Sequence, residues 1–159
     1  MKLRNTIAAL TLLICLTLLW SGASAEAIFC AIPLASQSAQ ELDSYAAQIV
    51  DEVNLERARA GLSPVHVDAE LTAAARIRAY EIVESFSHTR PDGSIWSTVS
   101  DAAYGENIAK GHNSVDRVMA AWMSSDGHRK NILRSSFGSI GVCALRVNGI
   151  LYWVQLFGK

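Results

Sequence analysis

Several features that would settle the class of this chain at once are missing. Positive charge is not in excess: 14 Lys and Arg stand against 15 Asp and Glu in 159 residues, which argues against a nucleic-acid or anionic-membrane binder. No apolar run reaches the ~20 residues that a membrane-crossing helix needs. The longest, Ile7 to Trp20, has 14 residues. With three cysteines, the chain can form one internal disulfide at most. Internal repeats and low-complexity tracts are lacking as well.

What is present starts with an export signal. Lys2 and Arg4 precede the apolar run, and Ala23-Ser24-Ala25 supplies the small residues of an A-x-A cleavage site before Glu26, the pattern of a secretory signal peptide at 1–25. The competing reading, a retained anchor, is disfavoured by the shortness of the run. Cleavage removes two basic residues and no acid, leaving 12 basic against 15 acidic residues, a balance of −3. The 134 residues that follow are enough for one core. Secretion also leaves Cys30 and Cys143 as an even pair in an oxidising compartment. They form a disulfide, or Cys143 packs as a small core residue while Cys30 stays free.

Residues 26–37, with Pro33, read as an irregular leader. Ser38-Ala39-Gln40-Glu41 has the form of a capping box, opening a helix with Leu42, Tyr45, Ala46, Ile49, Val50 and Val53 on one face and Gly61 at its end. Asp68 starts a second helix whose inward stripe is Leu71, Ala74, Ala75, Arg78, Ile82 and Phe86, with Arg78 expected to snorkel outward. A third runs from the Ser114 cap along Val115, Val118, Met119 and Trp122 to a stop at Gly127. Asn148-Gly149 is a two-residue hairpin turn. It pairs Cys143 with Val154 and puts Ile140, Val142, Ala144, Leu151, Trp153 and Phe157 on the opposite face. A hairpin apolar on both faces needs helices on both. The expectation is an α+β fold, a three-layer α-β-α sandwich with a small antiparallel sheet.

The polar residues with chemical potential cluster where periodicity breaks. His88 follows the second helix in Ser87-His88-Thr89-Arg90-Pro91-Asp92-Gly93, Glu106 lies in Gly105-Glu106-Asn107, and His128 lies in Asp126-Gly127-His128. Two imidazoles and a carboxylate brought together suit a divalent metal such as zinc, general acid-base chemistry, or a hydrogen-bonded knot that holds three segments together. Ser124 or Ser125 with Asp126 and His128 has the composition of a triad, but one turn cannot place Ser and Asp on opposite ring nitrogens. His66 and His112 read as ordinary loop histidines, the latter near enough to rim a cleft.

Those motifs, with Trp122 followed by Ser124-Ser125-Asp126-Gly127-His128-Arg129-Lys130-Asn131-Ile132-Leu133 and with Trp153-Val154-Gln155-Leu156-Phe157-Gly158, resemble a bacterial CAP domain. This is the superfamily of cysteine-rich secretory proteins, antigen 5 and pathogenesis-related proteins. The resemblance spans 38–159 and implies a cleft lined by two histidines and two glutamates. His88, His128 and Glu106 take three of those places, and Ser125 stands at the fourth. Asn107, Ser125, Asn131 and Gln155 are implied as cleft lining, and His88 and His128 as the ligands of any metal. The function implied is that of an extracytoplasmic binding module for a lipid, a metal or a partner protein, with a metal-assisted secreted hydrolase as the alternative. Amino-terminal sequencing of exported protein is expected to begin at Glu26, and a mature chain that still carries Trp20 would overturn the export reading.

Overall fold

The computed structural model describes residues 34–159; the expected signal peptide, most of the leader and Cys30 lie outside the described residues. In chain order the elements are α1 (Leu34–Arg59), β1 (His66–Val67), α2 (Ala69–Glu84), a 3-10 turn (Trp96–Val99), β2 (Gly105–Lys110), α3 (Val115–Ser124), α4 (Asp126–Ile132), β3 (Ser139–Val147) and β4 (Ile150–Gly158). The sheet order is β1-β3-β4-β2. β3, β4 and β2 are antiparallel, and the two-residue β1 joins β3 in parallel, so the small sheet is mixed rather than wholly antiparallel.

The hairpin forms as its turn dictates. Asn148 and Gly149 both hold positive φ, 50° and 79°, and Val147 pairs with Ile150, Leu145 with Tyr152 and Cys143 with Val154. Because side chains alternate across a strand, one face presents Ile140, Val142, Ala144, Leu151, Trp153 and Phe157 to Ile49 and Val53 of α1, Val118, Met119 and Trp122 of α3 and Ile132 of α4. The other face places Val154 and Leu156 against Leu71, Ala74, Ala75, Ala79 and Ile82 of α2. The result is the expected three-layer α-β-α sandwich. Cys143 lies on the α2 face, half-buried, and forms no disulfide among the described residues. Burial raises its thiol pKa to about 11.

Three boundaries differ from the periodicity reading. α1 is already under way at Ser38, because nothing in Leu34-Ala35-Ser36-Gln37 breaks a helix and a capping-box pattern inside a helix has no free N–H to cap. α2 starts where expected, with the Asp68 carboxylate accepting from the Leu71 N–H at 2.8 Å, but ends at Glu84. Phe86 therefore leaves the stripe and is 41% exposed. α3 stops at Ser124, and Asp126-Gly127-His128 opens the short α4 instead of ending a longer helix.

Arg57 fastens α1 to the end of α4. Its buried guanidinium donates to the carbonyls of Ser63 (2.8 Å), Ile132 (2.9 Å), Arg134 (3.0 Å) and Phe137 (2.8 Å). Carbonyls at a helix end lack internal partners, so one side chain both satisfies them and fixes where α4 sits.

On the far face, α2 lies so close to the sheet that only glycine fits at 141. A Cβ there would stand 2.1 Å from the Leu71 carbonyl carbon and 2.3 Å from the Thr72 nitrogen, both backbone atoms. Gly141→Ala is expected to lower stability by about 3 kcal/mol or more. Gly127→Ala, with nothing within 4 Å of its added carbon and a helical position to favour it, should be neutral or stabilise by about 0.5 kcal/mol. Urea unfolding of the two variants checks the contrast, and equal effects would contradict this packing.

Candidate functional site

The site is assembled by α2, the loop after it, β2 and α4. At its centre is a fully buried ion pair: the Glu106 carboxylate and the Arg78 guanidinium both have side chains at 0% exposure. Arg78 Nε donates to Glu106 Oε2 at 2.7 Å, and Nη2 donates to the Ser87 carbonyl at 2.8 Å. Nη1 pairs with Glu81, which also takes both ends of Arg90. Arg78 does not snorkel outward as its place on an apolar stripe suggested, because two carboxylates and a carbonyl satisfy its donors in place. Burial lowers the Arg78 pKa, and the bonds from Glu106 and Glu81 outweigh it and raise it overall. For Glu81, burial pushes the carboxyl up, while its bonds from Arg90 and Arg78 pull it below the ordinary range.

His88 sits on the solvent side of this pair. Its Nδ1 lies 2.7 Å from Glu106 Oε1, and its side chain remains 55% exposed. Opposite an acceptor-only carboxylate, Nδ1 carries the proton and Nε2 is left to the outside. The loop is braced by the Trp96 N–H on the His88 carbonyl and by Gly93 at φ 85° in the Pro-Asp-Gly turn. Arg78, through Ser87, holds the same loop from beneath.

Under β2 runs a chain of amides, buried at Asn107 and Gln155 and half-buried at Asn131. The Asn131 amide donates to the Glu106 carbonyl (3.1 Å) and to Asn107 Oδ1 (3.0 Å). Asn107 in turn donates to Gln155 Oε1 (2.9 Å) and to the His128 carbonyl (3.2 Å). Every buried side-chain polar atom among the described residues has a partner. The amides thus register β2, β4 and α4 against one another, with Asn107 and Gln155 beneath the surface rather than on it.

His128 is held by its backbone, and its ring is half-buried. Burial lowers its pKa below 6.5, and the nearby His88 lowers it further. With Ser125 it lines a cavity of about 290 Å³ between β2 and the α3–α4 junction, whose other walls include Ile108, Lys110, His112 and Trp122. Glu106 is not among the lining residues. Ser124, the other serine of the turn, bonds its own helix through the Ala120 carbonyl at 2.8 Å and has no base beside it.

The donor set bears directly on a metal. Among the described residues, no group of three or more His, Cys, Asp and Glu side chains is placed to hold an ion. The reason is local: Glu106 is buried with Arg78 on one oxygen and His88 on the other, so it offers no free edge to a cation. The residues present do not fit a closed zinc site.

Sequence reading missed Arg78, Glu81, Arg90 and Lys110. The available signal was an arginine on an otherwise apolar helical stripe with an acid three residues on, which is rarely buried unless paired.

The chain is similar to known proteins over most of its length. A family model described as CAP, cysteine-rich secretory protein family, matches residues 50–157. The uncharacterised protein YkwD of Bacillus subtilis is 36% identical over 126 residues, covering 74% of this chain and 49% of that one. The uncharacterised membrane protein YlbC of the same organism is 29% identical over 120 residues, covering 70% and 34%. The chain thus spans half or less of the length of these curated relatives. Among solved structures, an extracellular SCP-domain protein of Bacillus anthracis superposes with a TM-score of 0.68 at 25% identity, covering 74% of this chain and 41% of that one. An outer surface protein of Borrelia burgdorferi gives 0.63 at 24%, covering 71% and 90%, a likeness of fold alone. With a family match across more than half of its residues and the fold and motifs to go with it, this chain belongs to the CAP, or cysteine-rich secretory protein, family.

Proposed function

We propose that the protein is an extracytoplasmic binding module. Residues 1–25 direct export, and the CAP domain at 38–159 offers the His128 cavity, with His88 beside it, to a ligand outside the cytoplasm. Two structural relatives are described as extracellular or outer-surface proteins. Among the described residues, no helix is long and apolar enough to cross a membrane.

The observation that carries the binding reading over the hydrolytic one is the condition of Glu106. A general base must reach the proton it removes, within ~3 Å or through one water, and a metal ligand must present a lone pair to the ion. Glu106 has 0% side-chain exposure and spends its oxygens on Arg78 and His88. It positions His88 instead of reacting. Neither Ser124 nor Cys143 compensates as a nucleophile, since Ser124 bonds its own helix and the Cys143 thiol is raised to about 11.

Thermal unfolding with and without zinc tests this. Glu106→Gln leaves Arg78 buried without its partner and should cost about 3 kcal/mol, while zinc should leave the wild-type Tm unchanged. A zinc-dependent rise in the wild type that disappears in Glu106→Gln would reinstate a metal site at these residues and remove the argument against a metal-assisted hydrolase, because a ligand bound only by the native state must raise its Tm.

His128 supplies an independent check through pH. Its folded pKa lies below 6.5, so between that value and about 6.5 the unfolded chain holds the proton that the folded one refuses. Stability from this group is complete above about pH 6.5 and is lost as pH falls toward the folded pKa. Urea unfolding at stepped pH should show that loss in the wild type and a flatter profile in His128→Gln. Identical slopes would mean that the ring is not buried as described.

A further inference from the structure

The cavity beside His128 has an asymmetry that the binding reading does not use: donors line it and acids do not. Lys110, His112, Ser125 and His128 are its polar side chains, and no Asp or Glu is among its walls. The Lys110 ammonium rests 4.8 Å above the Phe86 ring centre, a cation-π contact that keeps the charge at the mouth. Phe86 and Trp122 supply apolar wall.

The backbone of β2 adds to the donors. Gly111 N–H bonds the Leu151 carbonyl, and alternation along an antiparallel pair then turns the peptide groups of Glu106, Ile108 and Lys110 away from β4. The outward carbonyls of Glu106 and Ile108 are covered by the side chains of Asn131 (3.1 Å) and Trp122 (3.4 Å). The outward N–H groups of Ile108 and Lys110 have no acceptor among the described residues. Ile108 is only 6% exposed, and a buried N–H without an acceptor is rare. With those carbonyls capped, the edge cannot take an added strand, yet its donors stay open.

We propose that this cavity binds the anionic group, a carboxylate or a phosphate, of a small ligand, with Lys110, the Ile108 N–H and the imidazoles of His112 and His128 as its donors. The proposal rests on the binding-module reading and names the ligand class for its cavity. Lys110 supplies the charge. A neutral imidazole carries one N–H and one lone pair, so His128 donates without a second charge. The Glu106 carboxylate, on the strand that walls the cavity, is neutralised by Arg78 and does not repel the anion. Phe86 and Trp122 face the ligand's carbon portion.

The test is a titration of ¹⁵N-labelled protein with sodium propionate, inorganic phosphate and, as a neutral match, propionamide, at constant ionic strength. Saturable shifts of the Ile108 and Lys110 amides are expected with an anion, with a Kd on the order of 1 mM, as suits one ion pair and a few hydrogen bonds. Propionate and phosphate in separate titrations decide between the two anions. Lys110→Gln should weaken binding about tenfold, whereas Lys130→Gln, an equal charge change outside the cavity, should leave it unchanged. Equal loss in both variants, or none in Lys110→Gln, would reduce the effect to general charge and overturn the proposal. Saturation by propionamide alone would keep the cavity as a binding site and remove the anion; silence with all three probes would remove both.

Discussion

The buried Arg78–Glu106 pair is the interaction on which the rest of the site depends. Removing two charges from water costs several kcal/mol per ion, which mutual attraction offsets only when the remaining donors and acceptors are also met. Here they are: Ser87 and Glu81 complete the guanidinium, His88 completes the carboxylate, and Arg90 completes Glu81. The pair cannot be moved without stranding a charge, so α2, β2 and the His88 loop are locked to one another. Its gain lies less in net stability than in permitting a single arrangement of these three segments.

Arg57 performs a related task on the other face of the sheet with a different chemistry. It has no carboxylate; four carbonyls surround it, and burial lowers its pKa. Three of them, Ile132, Arg134 and Phe137, belong to the end of α4 and the loop after it, and Ser63 belongs to the loop after α1. One arginine thus sets β2 and the His88 loop from the α2 side, and the other sets α4, with His128 and Asn131, from the α1 side. The Asn131–Asn107–Gln155 chain joins the two halves under the sheet edge.

Much of the fold was legible because local chemistry and global packing agreed. Asn148-Gly149 specified the turn, the turn specified the register, and the register sorted the apolar residues of β3 and β4 onto the two faces that the helices cover. Asp68 and Ser114 cap their helices as their side chains suggest. Illegible features were those decided by a distant partner. A 3.6-residue period places Arg78 inward but cannot say that Glu106, 28 residues on, meets it there. The break at Ser125 escapes too: the residues on either side are compatible with one helix, and what favours two is the docking of Asn131 and Ile132 beneath β2. Gly141 looks like any strand glycine until α2 is seen resting on it. At the site, the resemblance implied one cleft for His88, Glu106 and His128; the pairing of Glu106 with His88 alone, the burial of that carboxylate and the separate cavity at His128 were decided by packing.

Two substitutions of role then determine the electrostatic character of the cleft. The family resemblance leads one to expect a pair of glutamates there, enough negative charge to welcome a cation. The same resemblance puts Ser125, which lines the cavity, at the second acidic place, and the first acid, Glu106, is turned inward onto a guanidinium. Neither change alone would reverse the sign: a single free carboxylate would still favour a cation, and an arginine behind two carboxylates would leave one over. Together they leave no acid among the residues that line the His128 cavity, where Lys110 and two imidazoles stand. With donors and no acid along its walls, the cavity has the lining that the proposed anion requires, since complementary charge is what such a site can select by.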